Sequence, residues 1–324
     1  MNPPIAPETA VIETAGGNTC SWRIMPAEIR EREYSPSSCI GGNYQPHMEA
    51  YRAQSLLARS VTASSGAKWH ELRYGELAAQ RIDLCVPAAS VREGNLLPAL
   101  LVFIHGGYWQ ALTAADSLFA ASGCIERGHA FAAIDYTLAP HATLPQIVDE
   151  CRSALNCLAK NATALGFDAN RIVVAGSSAG AHLAAMVAWL GWQPAQASVS
   201  VRAVVMVSGI YELEPLVGTS INTALGLDAD AARAQSPALL PLTGFPQTLV
   251  AWGDIETKEF KRQSKHFARD LARAGTVAET LEVPLRNHFD VILDLVNPAT
   301  KLGARTLSLL EATAHTVSSI PTVR

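Results

Sequence analysis

A regular alternation of short apolar runs with longer segments of helical periodicity constrains the fold of this chain most. From about residue 97 onward, each apolar run is followed by an amphipathic stretch of ten or more residues. Strands that alternate with helices of this length form βαβ units, and consecutive units build a mainly parallel sheet. Runs that are apolar throughout, such as 97–104, indicate strands buried on both faces. We therefore predict an α/β fold with a mainly parallel central sheet and helices on both faces.

The periodicity also places the individual elements along the chain. It predicts an antiparallel strand pair at the start of the sheet, at 69–74 and 80–87. The later strands are predicted at 97–104, 130–136, 171–175, 202–208, 248–252 and 279–284. Helices are predicted at 49–58, 113–127, 144–165, 179–190, 259–274 and 289–314.

Two segments, 29–65 and 211–245, do not follow the alternation, and we interpret them as a cap over the functional site. Residues 211–245 carry several Pro and Gly residues amid short helical pieces. Long insertions at the carboxyl edge of a parallel sheet usually cover the functional site. We therefore predict one domain over residues 29–318, with a small cap formed by 29–65 and 211–245. Residues 1–28 lack periodicity and are predicted to be a mobile tail.

Charge and cysteine content exclude several classes of function. The 324 residues carry a net charge of −4 with acidic and basic residues mixed, so we expect no nucleic acid and no membrane surface as a partner. No signal peptide is recognisable, and the six cysteines form no CxxC pair, which favours reduced thiols. We expect a cytoplasmic protein whose partner is a small-molecule substrate. The oligomeric state stays open, with a homodimer as one candidate.

The strongest chemical signal is the pentapeptide Gly-Ser-Ser-Ala-Gly at 176–180, which fits G-x-S-x-G with Ser178 at its centre. It follows a predicted β-branched strand and precedes a predicted helix, the context that a nucleophile elbow requires. Ser177 does not fit, because centring the motif on it would need glycine at Ala175. We therefore predict that Ser178 is a nucleophile; a structural turn rich in glycine and serine is the alternative.

A second glycine turn, His105-Gly106-Gly107-Tyr108-Trp109, ends another predicted strand. Such a turn can aim backbone N–H groups at the oxyanion of a tetrahedral intermediate. We assign the donors to Gly107 and Tyr108, with Ala179 completing the oxyanion hole and Gly106 allowing close approach. His105 itself is predicted to be structural. Tyr108 and Trp109 could face an aromatic substrate, although a packed core position for Trp109 is an equal alternative.

A serine nucleophile needs a histidine base later in the chain. His266 lies in a charged helical stretch, where a solvated position is the better interpretation, and His315 lies near the C-terminus. His288 follows an apolar strand and opens a loop, which favours it as the base.

The acid that orients the base is expected just after the strand 248–252. Asp254 and Glu256 are both available there. We favour Glu256, because an acid three residues after Gly253 suits a turn that points toward the histidine loop, and Asp254 is the alternative. A helix-capping or surface carboxylate is the expected role of the other.

These residues predict acyl transfer through an acyl-enzyme that water then hydrolyses. The sequence contains no HExxH, no clustered cysteine and histidine spacing, no Walker loop and no GxGxxG after a strand. We therefore expect neither a metal nor an organic cofactor.

Four segments together resemble the kynurenine formamidases (arylformamidases), a group of α/β-hydrolases related to hormone-sensitive-lipase-like esterases. They are residues 105–110, 181–183, 259–264 and 287–290, and the resemblance spans about residues 31–310. It implies the α/β-hydrolase fold and hydrolysis of N-formyl-L-kynurenine to formate and kynurenine. It also places the nucleophile at Ser178, the base at His288 and the acid at Glu256.

Two positions depart from that group. Glu256 stands where its members commonly have aspartate, and Ser177 stands where they often have histidine. Both are compatible with catalysis but indicate that the substrate could differ. The alternatives are a carboxylesterase or a hydrolase of aryl amides or carbamates on the same residues. A non-catalytic binding module of the same fold is a further alternative, which would predict a broken elbow or a missing histidine.

Overall fold

An eight-stranded sheet forms the centre of the molecule in the computed structural model, which describes residues 21–88, 96–189 and 199–313. The strands, in chain order, are β1 (Lys68–Arg73), β2 (Arg81–Val86), β3 (Leu100–Ile104), β4 (Ala130–Ile134), β5 (Ile172–Ser177), β6 (Val201–Val207), β7 (Gln247–Ile255) and β8 (Ala278–Asn287). Their spatial order is β1-β2-β4-β3-β5-β6-β7-β8. Strand β2 pairs antiparallel with both β1 and β4, and the remaining neighbours are parallel. The predicted parallel sheet with an antiparallel pair at its start is therefore confirmed.

Helices cover both faces of this sheet, as predicted. In chain order they are α1 (Ala27–Glu33), α2 (Gln45–Ser64), α3 (Ala121–Glu126), α4 (Leu144–Leu165), α5 (Ala179–Ala188), α6 (Asn222–Leu225), α7 (Ala229–Ala234), α8 (Lys258–Arg273) and α9 (Lys301–Ala312). The core on one face includes α4, α5 and α8, and the core on the other includes α2, α3 and α9. Within the described residues, no helix combines the length and apolar character needed to cross a membrane.

Helix α4 shows how local sequence sets the element boundaries. Thr143 and Gln146 form a capping box at its start, and Gly166 ends it in the left-handed conformation. One face of the helix, which includes Ile147, Cys151 and Leu155, is buried against the sheet. These signals are local, and they are the reason that the predicted helix at 144–165 agrees with the structure.

The structure divides two of the predicted helices, and it extends a third, predicted at 49–58, to Gln45–Ser64. The segment 113–127 contains a short 3-10 helix at Ala114–Ser117 and only then α3. The segment 289–314 contains a 3-10 helix at Val291–Asp294 and only then α9. Pro298 cannot continue a helix from the preceding turn, and Thr300 caps α9 by accepting a hydrogen bond from the N–H of Gly303.

The cap consists of the two predicted segments, one from each half of the chain. A 3-10 helix at Pro36–Ile40 and helix α2 come from the N-terminal segment. A 3-10 helix at Glu214–Gly218, helices α6 and α7, and a final 3-10 turn come from the 211–245 insertion. The first segment contacts the second directly, since the carboxylate of Glu31 accepts hydrogen bonds from Ser220.

The predicted tail at 1–28 is partly wrong. Residues 1–20 lie outside the described part of the chain, but residues 21–28 are ordered as a 3-10 helix followed by the start of α1. Trp22 is buried, and its indole N–H donates to a carboxylate oxygen of Glu212 at 3.0 Å. The guanidinium of Arg23 pairs with Glu214 at 2.8 Å. These contacts to the insertion order a stretch whose sequence shows no periodicity.

Candidate active site

A cavity of about 310 Å³ lies where the central strands end and the cap begins. Its floor contains residues that directly follow β3, β5 and β8, namely Gly106, Gly107, Ser178 and His288. The cap closes the other side with Ser35, Ser37, Tyr44, Met48, Tyr51 and Ile221. Ligand sites in open α/β sheets lie outside the carboxyl ends of the strands, so this cavity is the candidate active site.

Ser178 sits on a strained turn between β5 and α5. Its backbone has φ 56° and ψ −119°, a conformation that a non-glycine residue adopts only when its surroundings impose it. The N–H of Ser178 donates to the carbonyl of Val207 at 2.9 Å, which ties the turn to the neighbouring strand. Gly180 must lack a side chain, because a Cβ there would lie 2.0 Å from the carbonyl oxygen of Ile104. This is the geometry of a nucleophile elbow.

The turn after β3 packs directly against that elbow. A Cβ on Gly106 would lie 2.8 Å from the carbonyl oxygen of Ser177 and 3.2 Å from Cβ of Ser178, so only glycine allows the approach. The phenol of Tyr136 donates to the carbonyl of His105 at 3.0 Å and holds the turn from below. The two glycine motifs identified in the sequence therefore form one contiguous unit.

Three backbone N–H groups near Ser178 are candidates for an oxyanion hole. They belong to Gly107, Tyr108 and Ala179, and none of them donates a hydrogen bond within the described part of the chain. Gly107 and Tyr108 follow Gly106 with φ values of 91° and 49°. Ala179 is the first residue of α5, where a helix leaves its N–H without an intrahelical partner. Unpaired donors beside a strained serine are what acyl transfer uses to stabilise an oxyanion.

The structure brings His288 and Glu256 together. Nδ1 of His288 donates to Oε2 of Glu256 at 3.1 Å, and the side chain of Glu256 is completely buried. Oε1 of the same carboxylate accepts hydrogen bonds from the hydroxyl of Ser208 at 2.5 Å and from the N–H of Gly253 at 2.7 Å. A carboxylate held at both oxygens fixes the orientation and the tautomer of the imidazole, so that Nε2 is the nitrogen left for chemistry.

The competing candidates lie elsewhere. A carboxylate oxygen of Asp254 accepts from the backbone N–H of Arg286 at 3.2 Å, so Asp254 joins β7 to β8 and does not contact His288. His266 is half-buried on α8, and burial together with the guanidinium of Arg262 lowers the pKa of its imidazole. His315 lies outside the described residues. Ser177 lines the cavity beside Ser178, but it is the last residue of β5 and does not occupy the strained turn.

The two aromatic residues of the oxyanion turn have different positions. Tyr108 lines the cavity, and its hydroxyl donates to the carbonyl of Tyr34 in the cap. Trp109 is completely buried and does not line the cavity, so of its two predicted alternatives the structure agrees with the packed core position and not with a substrate contact. Its backbone has φ 59°, and its ring packs edge-on against His182 at 5.0 Å in the core.

Two contributors to the site were not predicted. Ser208, at the end of β6, holds Glu256, although no sequence motif marks it. Tyr51 of α2 donates its hydroxyl to the carbonyl of Phe289, the residue after His288. The ring of Phe289 also stacks on Tyr44 and His47 at 5.9 and 5.4 Å. The helical spacing of Tyr44, His47 and Tyr51, three and four positions apart, is a signal in the sequence that could have indicated this contact.

No group of three or more His, Cys, Asp or Glu side chains in the described ranges has the arrangement of a metal site. The imidazole of His288, which lines the cavity with Ser178, and the carboxylate of Glu256 are bonded to each other. What the site can do with its own groups is activate a hydroxyl and stabilise an oxyanion.

Comparison with known proteins places this architecture in a family. The BD-FAE family model matches residues 82–244, half of the chain. Kynurenine formamidase of Drosophila melanogaster is 31% identical over 72% of this chain and 79% of its own length. The enzyme of the same name from Danio rerio is 28% identical over 85% of this chain and 94% of its own.

A solved structure agrees with this placement. A candidate thioesterase from Silicibacter sp. TM1040 is 30% identical and superimposes with a TM-score of 0.71, covering 85% of this chain and 97% of its own. The relatives and the sheet topology thus agree with the resemblance seen in the motifs. The chain is therefore an α/β-hydrolase of the BD-FAE family and belongs to the group of the kynurenine formamidases.

Proposed function

We propose that this hydrolase uses Ser178 as the nucleophile to cleave a small aromatic N-formyl amide, such as N-formyl-L-kynurenine, through an acyl-enzyme. The observation that carries the serine mechanism is the shared cavity. Ser178 and His288 both line it, and His288 is held by the buried carboxylate of Glu256. An oriented imidazole that lines the same cavity as a strained serine is the arrangement that could activate its hydroxyl.

The proposed reaction has two halves. His288 takes the proton of Ser178 as Oγ forms a bond to the formyl carbon, and the N–H groups of Gly107, Tyr108 and Ala179 stabilise the oxyanion. The C–N bond then breaks, and the aryl amine leaves with the proton from His288. Water, deprotonated by the same imidazole, attacks the formyl ester and releases formate and free Ser178.

The aromatic substrate class has two supports. The relatives at 28% and 31% identity are kynurenine formamidases, and we infer the formamide substrate from that name. The cavity is lined by the rings of Tyr44, Tyr51 and Phe289, which suit a flat aromatic leaving group.

We also keep the cytoplasmic location of the protein as a prediction.

The test is a side-by-side measurement of kcat/KM for N-formyl-L-kynurenine and for short-chain 4-nitrophenyl esters, with Ser178→Ala as the control. The substitution removes the nucleophile, so we expect kcat to fall by about 10⁴-fold or more while the fold is retained. Ser177→Ala is the matched variant, since it removes a neighbouring hydroxyl on the same cavity wall, and we expect a change of only a few fold.

The outcomes separate the candidate functions. Preferential turnover of the formamide supports the proposal. Ester turnover with a negligible formamide rate would make the protein a carboxylesterase. If Ser178→Ala kept full activity on every substrate, the serine mechanism would be wrong. Binding of substrate without any turnover would favour a binding module.

A further inference from the structure

The segment 259–264, which carries part of the family resemblance, has no place in the proposed reaction. The structure describes all six of its residues, and none of them lines the cavity. Two of its polar side chains, Glu259 and Gln263, are nevertheless buried. Burial of a carboxylate and an amide costs free energy unless both are bonded, so their partners indicate what the segment does.

Glu259 and Gln263 hold the phenol of Tyr34 from two sides. The hydroxyl of Tyr34 donates to Oε2 of Glu259 at 2.9 Å and accepts from Nε2 of Gln263 at 3.1 Å. The guanidinium of Arg262 donates to both oxygens of Glu259, at 3.1 and 2.8 Å. Burial and the carboxylate of Glu259 raise the pKa of Tyr34, so its phenol stays protonated and remains a donor. The buried ring of Tyr34 is thereby fixed in position.

Gln263 also connects this cluster to the cap. Its Oε1 accepts hydrogen bonds from the backbone N–H groups of Tyr211 and Glu212, at 2.7 and 2.8 Å. These two residues begin the 211–245 insertion. The phenol of Tyr34 is therefore held by side chains of α8 that are themselves bonded to the second cap segment.

The backbone of Tyr34 contacts the oxyanion turn. Tyr34 directly follows α1, where the last carbonyls of a helix have no intrahelical partner. Its carbonyl accepts a hydrogen bond from the hydroxyl of Tyr108. Tyr108 has a φ of 49° and supplies one of the three candidate N–H donors. A non-glycine residue keeps such a conformation only where its surroundings impose it, and the bond to Tyr34 is one of these constraints.

Glu33, the residue before Tyr34, ties the same helix end to the loop that carries the acid. The carbonyl of Glu33 accepts from the hydroxyl of Thr257 at 2.6 Å, and its carboxylate accepts from the N–H of Lys258 at 2.9 Å. Thr257 directly follows Glu256. The end of α1 therefore connects the oxyanion turn with the acid loop.

We propose that Tyr34 is a positioning residue for the oxyanion hole, because the segment 259–264 fixes its phenol while its carbonyl fixes Tyr108. This inference rests on the proposed function, since an oxyanion forms only if Ser178 attacks a carbonyl. A displaced N–H donor loses more of its interaction with a developing oxyanion than with a neutral carbonyl, so the effect falls on the transition state.

Two variants each break one link of this chain of contacts. Tyr108→Phe removes the hydroxyl that bonds the carbonyl of Tyr34, and Tyr34→Phe removes the hydroxyl that the segment holds. Loss of a whole oxyanion donor lowers kcat by about 10²- to 10³-fold, so we expect a displaced donor to lower it about tenfold, with KM within about twofold of wild type. An unchanged kcat in Tyr108→Phe would overturn the inference.

Thr306→Val is the matched control. It removes a buried hydroxyl that donates to the carbonyl of Leu302 at 3.0 Å within α9, and neither residue lines the cavity. We expect kcat of this variant to equal that of wild type. A loss of kcat as large as that of Tyr108→Phe would show that removal of any buried hydroxyl impairs the enzyme, and it would also overturn the inference.

A pair of ketones separates a positioning role from a structural one. The carbonyl carbon of 2,2,2-trifluoroacetophenone can accept Oγ of Ser178, whose proton passes to His288 while the ketone oxygen becomes an oxyanion. Acetophenone has the same ring and remains a planar ketone. In both tyrosine variants we expect Ki of the fluorinated ketone to rise about tenfold and Ki of acetophenone to stay unchanged. An equal rise for both ketones would indicate a damaged pocket and count against the positioning role.

The double variant Tyr34→Phe/Tyr108→Phe tests whether the two hydroxyls act in series. If both act on the same N–H donor, the double variant should lose about as much kcat as the more impaired single variant. Multiplication of the two single losses would show independent roles and overturn the inference. If Tyr34→Phe does not fold, the ketone pair measured with Tyr108→Phe decides.

A failure of the proposed function is distinguishable from a failure of this inference. If no formamide is cleaved, kcat is measured with 4-nitrophenyl acetate, whose hydrolysis needs the same oxyanion hole. The same losses with the ester would reject the formamidase function and retain the positioning role of Tyr34. Turnover and ketone affinities that are unchanged in Ser178→Ala would reject both.

Discussion

At the residue scale, Glu256 is the most constrained side chain of the candidate site. Its two oxygens accept hydrogen bonds from Ser208, from the N–H of Gly253 and from His288. The alternative acid, Asp254, lies two positions away and bonds the backbone of β8. The local structure therefore assigns different tasks to two neighbouring carboxylates.

We expect Glu256→Gln to lower kcat by about 10³- to 10⁴-fold with little change in KM. An amide can donate to the imidazole and favour the wrong tautomer, and it cannot stabilise the imidazolium that forms during attack. Asp254→Asn is the matched variant and should change kcat by only a few fold. Steady-state kinetics of the two variants decide the assignment, and a larger loss in Asp254→Asn would contradict it.

The positions of Ser178 and His288 could be predicted because their signals are local. A glycine-flanked serine between a strand and a helix has few structural solutions, and a histidine after the last strand lies at the same edge. The contact of Ser208 with Glu256 could not be predicted, because it joins residues 48 positions apart without a motif. The sequence left Trp109 open between the cavity and the core, because the positive φ that accompanies its turn into the core cannot be recognised from sequence.

At the scale of elements, helix α2 supports the loop that carries His288. Tyr51 donates its hydroxyl to the carbonyl of Phe289, and Tyr44 and His47 stack on the ring of the same residue. His288 is thus flanked by a residue that the cap holds in place. The cap does more than enclose the cavity, since it also positions the histidine loop.

We expect Tyr51→Phe to lower kcat about threefold to tenfold and the free energy of unfolding by about 1 kcal/mol. The ring remains, but the carbonyl of Phe289 loses its donor and the loop gains freedom. Tyr44→Phe is the control, because the phenol of Tyr44 makes no hydrogen bond within the described residues. Kinetics and urea unfolding measure both effects, and equal behaviour of the two variants would refute the positioning role.

The boundaries of an element could be predicted where the sequence contains recognisable helix-capping residues. Helix α4 begins after Thr143 and ends before Gly166, and both signals are recognisable without a structure. The last predicted helix was too long because an apolar pattern continued across Pro298, where a helix cannot. Order at residues 21–28 depends on Glu212 and Glu214, which are distant in sequence, so no local pattern could predict it.

At the scale of the whole molecule, buried histidines make stability depend on pH. Burial lowers the pKa of His182 to about 4, and burial together with Arg171 and Arg127 lowers that of His129 to about 4. An unfolded histidine titrates near 6.5. Between pH 6.5 and 4 the unfolded state therefore binds more protons, so stability falls as the pH falls through this window and is fully retained above it.

We expect wild type to lose about 2 kcal/mol more stability than His182→Gln between pH 8 and pH 5. The glutamine amide can still donate to the carbonyl of Gln235, to which Nε2 of His182 is bonded at 2.7 Å, but it does not titrate. Urea unfolding at the two pH values gives the difference. His129→Asn serves the same purpose for the second histidine, and a difference that is independent of pH for both variants would show that neither is buried in the neutral form.

The N-terminal cap segment makes its contacts with residues that are translated much later. The contacts of Trp22, Tyr34 and Tyr51 join residues 190, 225 and 238 positions apart. His288 follows Ser178 by 110 positions, which a ribosome adding about 5 to 20 residues per second needs roughly 5 to 20 seconds to make. A growing chain therefore carries its serine turn without its histidine throughout that interval. The candidate site is therefore complete only after the segment with His288 has been translated.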